Sequence, residues 1–201
     1  EVSLKVLPKP ETEATLVLNG LTDVDAVQAM SKAMGSPFEV TGAAHDPANG
    51  QTMLRVEGFE ASVQYRIARL RDLVQIYGAD MEVLDAKASA LLWAGLRDVS
   101  AFAGTGGDVW RVSCKPSEAP HLAAQAGAEA HFFDWAGGLV WFRTTEENDL
   151  RRRLRAFDGY ATLVRASSET RAQLGVFQPE KAGVARITKG LRARFDPKGV
   201  F

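Results

Sequence analysis

Short strands and helices follow one another in an order that occurs twice along the chain, and this repetition restricts the folds open to it. Alternating apolar residues predict strands, whereas apolar residues three or four positions apart predict helices. In the first half, strands are predicted at residues 12–19, 37–43, 53–58 and 81–84. One helix starts at Thr22, and a second carries Val63, Ile67, Leu70 and Val74. The order is β-α-β-β-α-β, with a turn-rich hairpin loop predicted at residues 45–50.

The second half repeats this order after a connecting helix predicted at residues 88–99. Strands are predicted at 109–115, 129–135, 139–142 and 159–165, and helices at 118–126 and 147–156. Gly137 and Gly138 indicate a tight turn, because glycine accepts the positive φ that such turns need. Two split β-α-β units in tandem predict an α+β fold of duplicated ferredoxin-like units, with antiparallel sheets covered by helices.

The expected division of the chain follows from these units. Residues 9–86 form the first ferredoxin-like repeat, residues 87–107 a connecting helix and Gly-rich loop, and residues 108–166 the second repeat. Residues 167–201 hold a final helix, predicted at 183–195, with an apolar stripe of Val184, Ile187, Leu191 and Phe195. Helices should cover one face of each sheet, so the opposite face is expected to carry function.

Charge and hydropathy exclude several classes of function. The 201 residues include 24 basic and 25 acidic side chains, for a formal net charge of -1, so no nucleic-acid partner is expected. No apolar run approaches the roughly 20 residues of a membrane-spanning helix, and direct membrane insertion is not expected. Cys114 is the single cysteine, which excludes an internal disulfide and favours a reducing compartment. The basic cluster of Arg151, Arg152, Arg153 and Arg155 is interpreted as a solvated helix face.

Residues for nucleophilic or metal chemistry are not found in a recognisable arrangement. The three histidines are predicted to lie apart, with His45 in the hairpin loop, His121 in a helix and His131 in a strand. They form no triad with Ser or Cys and no metal set, so no catalytic or metal-binding residue is assigned. The loop at residues 104–108 follows a helix and enters a strand, unlike a nucleotide-binding loop. It is interpreted as a connector, and no cofactor-binding residue is assigned.

Arginines in predicted strands are the strongest candidates for a binding site. Arg55 and Arg111 each lie in mid-strand, in similar places in the two repeats. A buried arginine needs an anionic partner, so each would hold a substrate carboxylate through paired hydrogen bonds. The alternative is an arginine paired with Asp98 or Asp134, or exposed on the sheet. The residues assigned to substrate binding are Arg111, Arg55, Arg97 and Trp110.

Both ends of the chain and several interior motifs resemble one family of flavoproteins. The opening Glu1-Val2-Ser3-Leu4-Lys5-Val6-Leu7-Pro8 is similar to the last strand of the flavin-binding domain in FAD-linked oxidases of the vanillyl-alcohol oxidase and D-lactate dehydrogenase type. The closing Asp196-Pro197-Lys198-Gly199-Val200-Phe201 resembles a motif that returns the chain to that domain. Interior motifs narrow the resemblance to the FAD-binding E subunit of bacterial glycolate oxidases. They are Thr41-Gly42-Ala43-Ala44-His45, Leu54-Arg55-Val56-Glu57-Gly58-Phe59, Trp110-Arg111-Val112-Ser113, Asp134-Trp135-Ala136-Gly137-Gly138-Leu139-Val140-Trp141 and Ala161-Thr162-Leu163-Val164-Arg165-Ala166.

The resemblance implies a C-terminal cap domain that covers a flavin bound elsewhere in a longer chain. Residues 1–8 would be the terminal strand of an upstream FAD-binding domain, and no FAD would bind to residues 1–201 alone. The complete enzyme would oxidise a small anionic 2-hydroxy acid, glycolate to glyoxylate, together with a second FAD-containing subunit and an iron-sulfur subunit. Its location would be cytoplasmic, with any membrane association made through the complex, and the fragment alone would be inactive.

Two features favour an auxiliary or electron-transferring role over a catalytic one. The Gly-Asp-Gly-Asn motif of catalytic relatives does not occur, and Tyr160 precedes Ala161 and Thr162 where the family pattern has histidine. A different class of function stays open: a stand-alone ferredoxin-like module that binds a small molecule or another protein without enzymatic activity.

Overall fold

The computed structural model describes residues 2–4, 6 and 8–200, so parts of the two terminal motifs, at Glu1, Lys5, Leu7 and Phe201, lie outside the described residues. The strands are β1 (Thr12–Asn19), β2 (Gly42–Asp46), β3 (Gln51–Gly58), β4 (Asp80–Leu84), β5 (Asp108–Cys114), β6 (Ala130–Asp134), β7 (Leu139–Thr144) and β8 (Gly159–Arg165). The α-helices are α1 (Asp23–Met34), α2 (Glu60–Val74), α3 (Ala86–Arg97), α4 (Ala119–Ala126), α5 (Leu150–Leu154), α6 (Ser168–Leu174) and α7 (Ala182–Phe195).

The strands form one antiparallel sheet in the order β4-β1-β3-β2-β6-β7-β5-β8. Strands β1 to β4 make one half and β5 to β8 the other, which confirms the predicted α+β fold of duplicated ferredoxin-like units. The two halves meet where His45 of β2 pairs with Phe133 of β6. A single sheet therefore continues across both repeats, and a site at this junction takes residues from both.

Helices α1, α2, α4 and α5 cover one face of the sheet and enclose the main core. Strand residues alternate between faces, so Leu16 and Leu54 point towards these helices whereas Arg55 points to the other face. Helix α1 begins at its Thr22 cap, whose hydroxyl accepts a hydrogen bond from the Asp25 N–H at 3.2 Å. Large side chains buried completely in this core include Trp110, Phe133, Phe142, Met30 and Leu70.

Helix α3 lies on the opposite face, over the first repeat. Asp85 caps its start by accepting a hydrogen bond from the Ala88 N–H at 2.8 Å. Apolar side chains of the sheet and of this helix pack together there, namely Val17, Ala44, Met53, Leu92, Trp93 and Leu96. The connecting helix predicted at 88–99 thus covers part of the face that the helices of the two repeats leave open.

Left-handed backbone conformations explain where predicted boundaries are wrong. The second strand begins at Gly42 instead of residue 37, because Glu39 has a φ of 47° that a regular strand does not allow. His45 therefore lies inside β2 and not in the hairpin turn, which occupies residues 47–50. The helix predicted at 147–156 is limited to Leu150–Leu154 because residues 147 and 155, on either side of it, both have a φ of 57°.

The two edge strands of the sheet have different surroundings. The segment after α6 lies along β8, where the Leu163 N–H donates to the Val176 carbonyl at 2.9 Å. At the other edge, the Met81 carbonyl of β4 accepts a hydrogen bond from the Arg71 side chain at 2.9 Å. Within the described chain, backbone therefore covers one edge of the sheet, and side chains alone cover the other.

Helix α7 carries the apolar stripe expected from the sequence, but that stripe is not packed against the sheet. The helix has no buried residue, and Val184, Ile187 and Leu191 are 51%, 62% and 54% exposed. Among the helices of the described residues, none combines the length and apolar character required to span a lipid bilayer.

Candidate functional site

A cavity of about 480 Å³ opens on the sheet face that carries α3, and we name it the inter-repeat cavity. Its walls come from both repeats and from the helix between them. The lining includes Arg55, Trp93, Arg97, Arg111, Asp134, Trp135 and Trp141. Three of the four residues predicted to bind substrate therefore surround one space, although they are distant in sequence.

Trp93 forms one wall of the inter-repeat cavity and is held in place by the sheet. Its indole N–H donates to the Thr15 hydroxyl at 2.9 Å. The ring lies directly over Gly42, where an added Cβ atom would be 2.7 Å from the ring. Only glycine lets the helix approach so closely, so the residue at position 42 determines where this wall stands.

Arg55 extends from β3 beneath the same tryptophan and is held by several groups. Its guanidinium carbon lies 4.8 Å from the centre of the Trp93 ring, a cation–π distance. Its Nη2 atom is 3.3 Å from the Glu57 carboxylate, and its Nε–H donates to the Thr41 hydroxyl at 3.3 Å. The charge of Arg55 is therefore partly balanced by a protein carboxylate.

Arg111 lies across the cavity on β5, and its charge has less compensation. Its guanidinium carbon is 5.0 Å from the centre of the Trp135 ring. Within the described residues, the N–H groups of the Arg111 guanidinium donate no hydrogen bond to protein. The nearby Asp134 accepts a hydrogen bond from the Trp135 N–H at 2.7 Å. Burial raises the pKa of Asp134, while this hydrogen bond and the charges of Arg111 and Arg55 act in the opposite direction.

Arg97 stands at the rim of the cavity and is largely exposed. Its Nε–H and Nη2–H donate to the two oxygens of Asp98 at 2.8 and 3.1 Å. The pairing with Asp98 considered for the strand arginines therefore belongs to Arg97. Asp98 therefore occupies the pair of guanidinium N–H groups through which Arg97 would bind a substrate carboxylate.

Trp110, the fourth residue assigned to substrate binding, lies on the other face of the sheet. It is completely buried in the main core, and the Arg151 guanidinium carbon is 4.9 Å from its ring centre. Successive residues of a strand point to opposite faces, so Arg111 can face the cavity only if Trp110 does not. The structure thus places Trp110 outside the inter-repeat cavity.

The two strand arginines are not equivalent by repeat, and the prediction that they occupy similar places is wrong. Arg55 lies on β3, the third strand of the first repeat, whereas Arg111 lies on β5, the first strand of the second. In their own repeats they stand opposite Thr15 and Trp141 respectively. The cavity is therefore asymmetric, with its two strand arginines in different surroundings.

A second polar cluster, on the helix-covered face, was not anticipated because its members are far apart in sequence. Asp23 of α1 contacts His131 of β6 at 3.0 Å and His45 of β2 at 3.3 Å, each through the histidine Nε2. Burial opposes ionisation of Asp23, but hydrogen bonds and charges from His131 and His45 outweigh it and hold the pKa of this carboxyl well below its usual range. The histidines predicted to lie apart are thus joined in part, and His121 alone stays outside this cluster.

The Cys114 thiol and the Gly-rich loop, the other candidates for chemistry, show no sign of a reactive or binding role. Burial raises the pKa of the Cys114 thiol to about 11, and the charge of Glu118 acts in the same direction, so this thiol is not an activated nucleophile. The Gly-rich loop leads into β5, and Arg165 donates to its Thr105 carbonyl at 2.9 Å. No group of three or more potential metal ligands occurs in the part of the chain that the structure describes.

Taken together, the fold and the cavity define a region of duplicated ferredoxin-like units that encloses arginine and tryptophan side chains between its repeats. No family model matches the sequence. The chain is similar to the glycolate oxidase subunit GlcE of Escherichia coli (strain K12), with 28% identity over 203 aligned positions. The alignment covers the whole chain but 51% of that protein, so the chain spans about half the length of this relative.

Proposed function

We propose that the chain is the cap and substrate-binding region of a glycolate-oxidase-type flavoprotein subunit. In this proposal the inter-repeat cavity receives a small anionic 2-hydroxy acid such as glycolate. The similarity to GlcE supports the class of oxidoreductase. The proposed binding site rests on one observation: Arg111 lines the cavity, and its guanidinium donates no hydrogen bond to protein within the described residues.

The surroundings of the arginines favour one of them as the anion ligand. Arg97 is engaged by Asp98, and Arg55 has Glu57 close by. Arg111 instead stacks on Trp135 and keeps its guanidinium edge available. A carboxylate bound there would accept two parallel hydrogen bonds from the guanidinium N–H groups of Arg111. Arg111 would therefore bind the acid, while Arg55 and the tryptophans would shape the space around it.

The described residues do not fit the binding of FAD itself. The Gly-rich loop enters a strand and opens no helix, so it lacks the helix N-terminus that commonly holds a cofactor diphosphate. We therefore place FAD in an upstream domain, of which residues 1–8 would be the last strand. Residues 9–86 and 108–166 would be the two repeats of the cap, joined by 87–107, and residues 167–201 would lead back to the flavin domain.

The proposed assembly contains a second FAD-containing subunit and an iron-sulfur subunit, in a cytoplasmic complex. This chain would contribute binding and orientation of the acid, and the redox chemistry would belong to flavin held elsewhere. Tyr160, at the position where the family pattern has histidine, donates its hydroxyl to the Gln178 carbonyl at 3.2 Å. It does not line the cavity, so this side chain would not act on an acid bound there.

Replacing Arg111 in the full-length complex tests the proposal. Arg111→Met keeps contact with Trp135 but removes the donors, so the KM for glycolate should rise by about ten- to hundredfold, as loss of a charged hydrogen-bond pair does. Arg143→Met is the control, because Arg143 pairs with Glu129 at 2.8 Å and lies outside the cavity lining. An unchanged KM in a correctly folded Arg111 variant would refute the assignment. Tight binding of a hydroxy acid by the purified 201-residue chain, with no flavin domain upstream of it in its gene, would favour the stand-alone binding module.

A further inference from the structure

Asp134 lines the inter-repeat cavity from β6, between the strands that carry its two mid-strand arginines. In the sheet, β6 stands two strands away from β3 and two strands away from β5. Two strand spacings amount to roughly 10 Å, a distance that an arginine side chain largely crosses. Burial raises the pKa of Asp134, and the charges of Arg111 and Arg55 oppose this rise, so both guanidinium groups act on the carboxylate.

Asp134 and Arg111 nevertheless do not pair with each other, because Trp135 holds both of them. The Trp135 ring centre lies 5.0 Å from the Arg111 guanidinium carbon, and the Trp135 backbone N–H donates to Asp134 Oδ1 at 2.7 Å. Within the part of the chain that the structure describes, Asp134 Oδ2 accepts no hydrogen bond and the Arg111 guanidinium donates none. A donor group and an acceptor atom are therefore left for a ligand in the same cavity.

The backbone at Trp135 has a conformation that its own packing does not explain. Trp135 and Ala136 have φ angles of 52° and 55°, in the left-handed region that residues with a Cβ rarely adopt. Such conformations cost free energy and occur preferentially at binding sites. The Trp135 side chain is 59% exposed, so burial of its ring does not compensate for that cost. The conformation instead places the ring beside Arg111 and the N–H on Asp134.

A second carboxylate, Glu13, also lines the cavity but is already engaged. Its Oε1 accepts a hydrogen bond from the Ser89 hydroxyl at 2.6 Å. Ser89 in turn lies 2.7 Å from the Thr15 hydroxyl, which accepts the indole N–H of Trp93. Glu13 thus belongs to the hydrogen-bond network that holds the Trp93 wall, whereas Asp134 lies between the two arginines.

The pair of Arg111 and Asp134 matches the hydrogen-bonding chemistry of a 2-hydroxy acid. Its carboxylate accepts hydrogen bonds, and the hydroxyl on the adjacent carbon donates one. An acid of the same shape without the hydroxyl would offer Asp134 no donor and would leave a partly buried acceptor unpaired. The positive charges of Arg111 and Arg55 would offset the repulsion between Asp134 and the carboxylate of the bound acid.

We propose that Asp134 is the residue that selects 2-hydroxy acids, by accepting a hydrogen bond from the hydroxyl of an acid whose carboxylate is bound by Arg111. This inference rests on the proposed function, which places the acid in the inter-repeat cavity. It adds the group that distinguishes a hydroxy acid from a simple carboxylic acid. Asp134 acts here through binding, and the redox chemistry stays with the flavin.

The test measures inhibition of glycolate oxidation by two matched acids in the full-length complex. One is 2-hydroxy-2-methylpropanoate, which has no hydrogen on the carbon that would be oxidised, and the other is 2-methylpropanoate, which lacks the hydroxyl. Asp134→Asn keeps an oxygen for the Trp135 N–H but replaces the other oxygen with an NH2 group, which donates. It should raise the inhibition constant of the hydroxy acid about ten- to hundredfold and leave that of 2-methylpropanoate within about twofold.

Two further variants separate this role from other effects. Arg111→Met should raise both inhibition constants, because both acids carry the carboxylate. Glu13→Gln removes another negative charge from the same cavity and should change both constants by the same factor. Equal changes of the two constants in Asp134→Asn would overturn the role of Asp134, and a parallel rise in Arg111→Met would still support the proposed function. Unchanged constants in Arg111→Met would refute the proposed function itself.

The unmodified complex tests the proposal if Asp134→Asn does not assemble or turn over glycolate. In it, the hydroxy acid should inhibit at a concentration at least about tenfold lower than 2-methylpropanoate does. Equal inhibition by the two acids would show that no group in the cavity recognises the hydroxyl and would overturn the assignment of Asp134.

Discussion

Replacing Arg151 should destabilise the protein more than replacing its immediate neighbour in the same helix. Arg151 donates hydrogen bonds to the carbonyls of Ala161, Leu174, Gly175 and Val176 at 3.2, 2.9, 3.1 and 2.7 Å. Its guanidinium also lies over Trp110. The side chain therefore ties the segment after α6 to the edge of β8 and to the core beneath it.

The magnitude follows from these contacts and from what replaces them. Hydrogen bonds from a charged donor contribute roughly 1.5–3 kcal/mol each, and a partly buried cation–π contact adds about 1 kcal/mol. The sum overstates the effect, because residues 174–176 are only half-buried and water can reach their carbonyls once the arginine is gone. Arg151→Met, which keeps the aliphatic contact with Trp110, should therefore lower the free energy of unfolding by about 3 kcal/mol.

Urea unfolding followed by tryptophan fluorescence measures this difference. Arg152→Met is the matched control, because the Arg152 side chain is 88% exposed and forms a surface ion pair with Asp149 at 3.2 Å. It should leave the midpoint of unfolding unchanged. Limited proteolysis should also cleave the Arg151 variant faster near residues 175–178, where the released segment begins. Equal midpoints for the two variants would show that these carbonyl contacts do not stabilise the fold.

Two further perturbations follow from the site and the junction. Gly42→Ala should lower the free energy of unfolding by about 1–3 kcal/mol, because the new methyl group would overlap the Trp93 ring. Gly95→Ala in α3, where an added methyl meets nothing, should be neutral or stabilising by urea unfolding, and a larger loss there would contradict the packing account. The lowered pKa of Asp23 stabilises the fold above its ordinary value of 3.8, and this stabilisation is lost as pH falls through the lowered pKa. In acid-induced unfolding, Asp23→Asn should therefore differ from the unmodified chain above that pH and converge with it below, and a constant difference would disprove the contact with His131.

The sequence pattern predicted the type and order of the helices and strands, because the spacing of apolar residues reflects which face of each element is buried. The strands at 12–19 and 159–165 were predicted with the bounds observed. Boundaries failed where a single residue adopts positive φ, as at Glu39 and Arg155. Neither residue type signals such a conformation, since tertiary contacts impose it at a position that the periodicity does not distinguish.

The candidate site was predictable in part, where single residues in a strand are informative. Mid-strand arginine is unusual enough to identify Arg55 and Arg111 from the sequence. Trp110 could have been excluded, because its neighbour and it cannot share a face of one strand. Asp23, His45 and His131 meet only because the two repeats join through β2 and β6, and no local pattern indicates which strands of two repeats become neighbours.

The unequal edges of the sheet limit how copies of this molecule can associate by strand pairing. Backbone from the same chain lies along β8, so an incoming strand can add only at β4. Two molecules joined through their β4 strands would use up the available edge of each, and growth would stop at a closed dimer instead of continuing into a fibre. Asp80 and Glu82 lie on β4, so such a pairing would also bring like charges together. The sheet is thus protected against open-ended polymerisation at one edge by its own chain and at the other by charge.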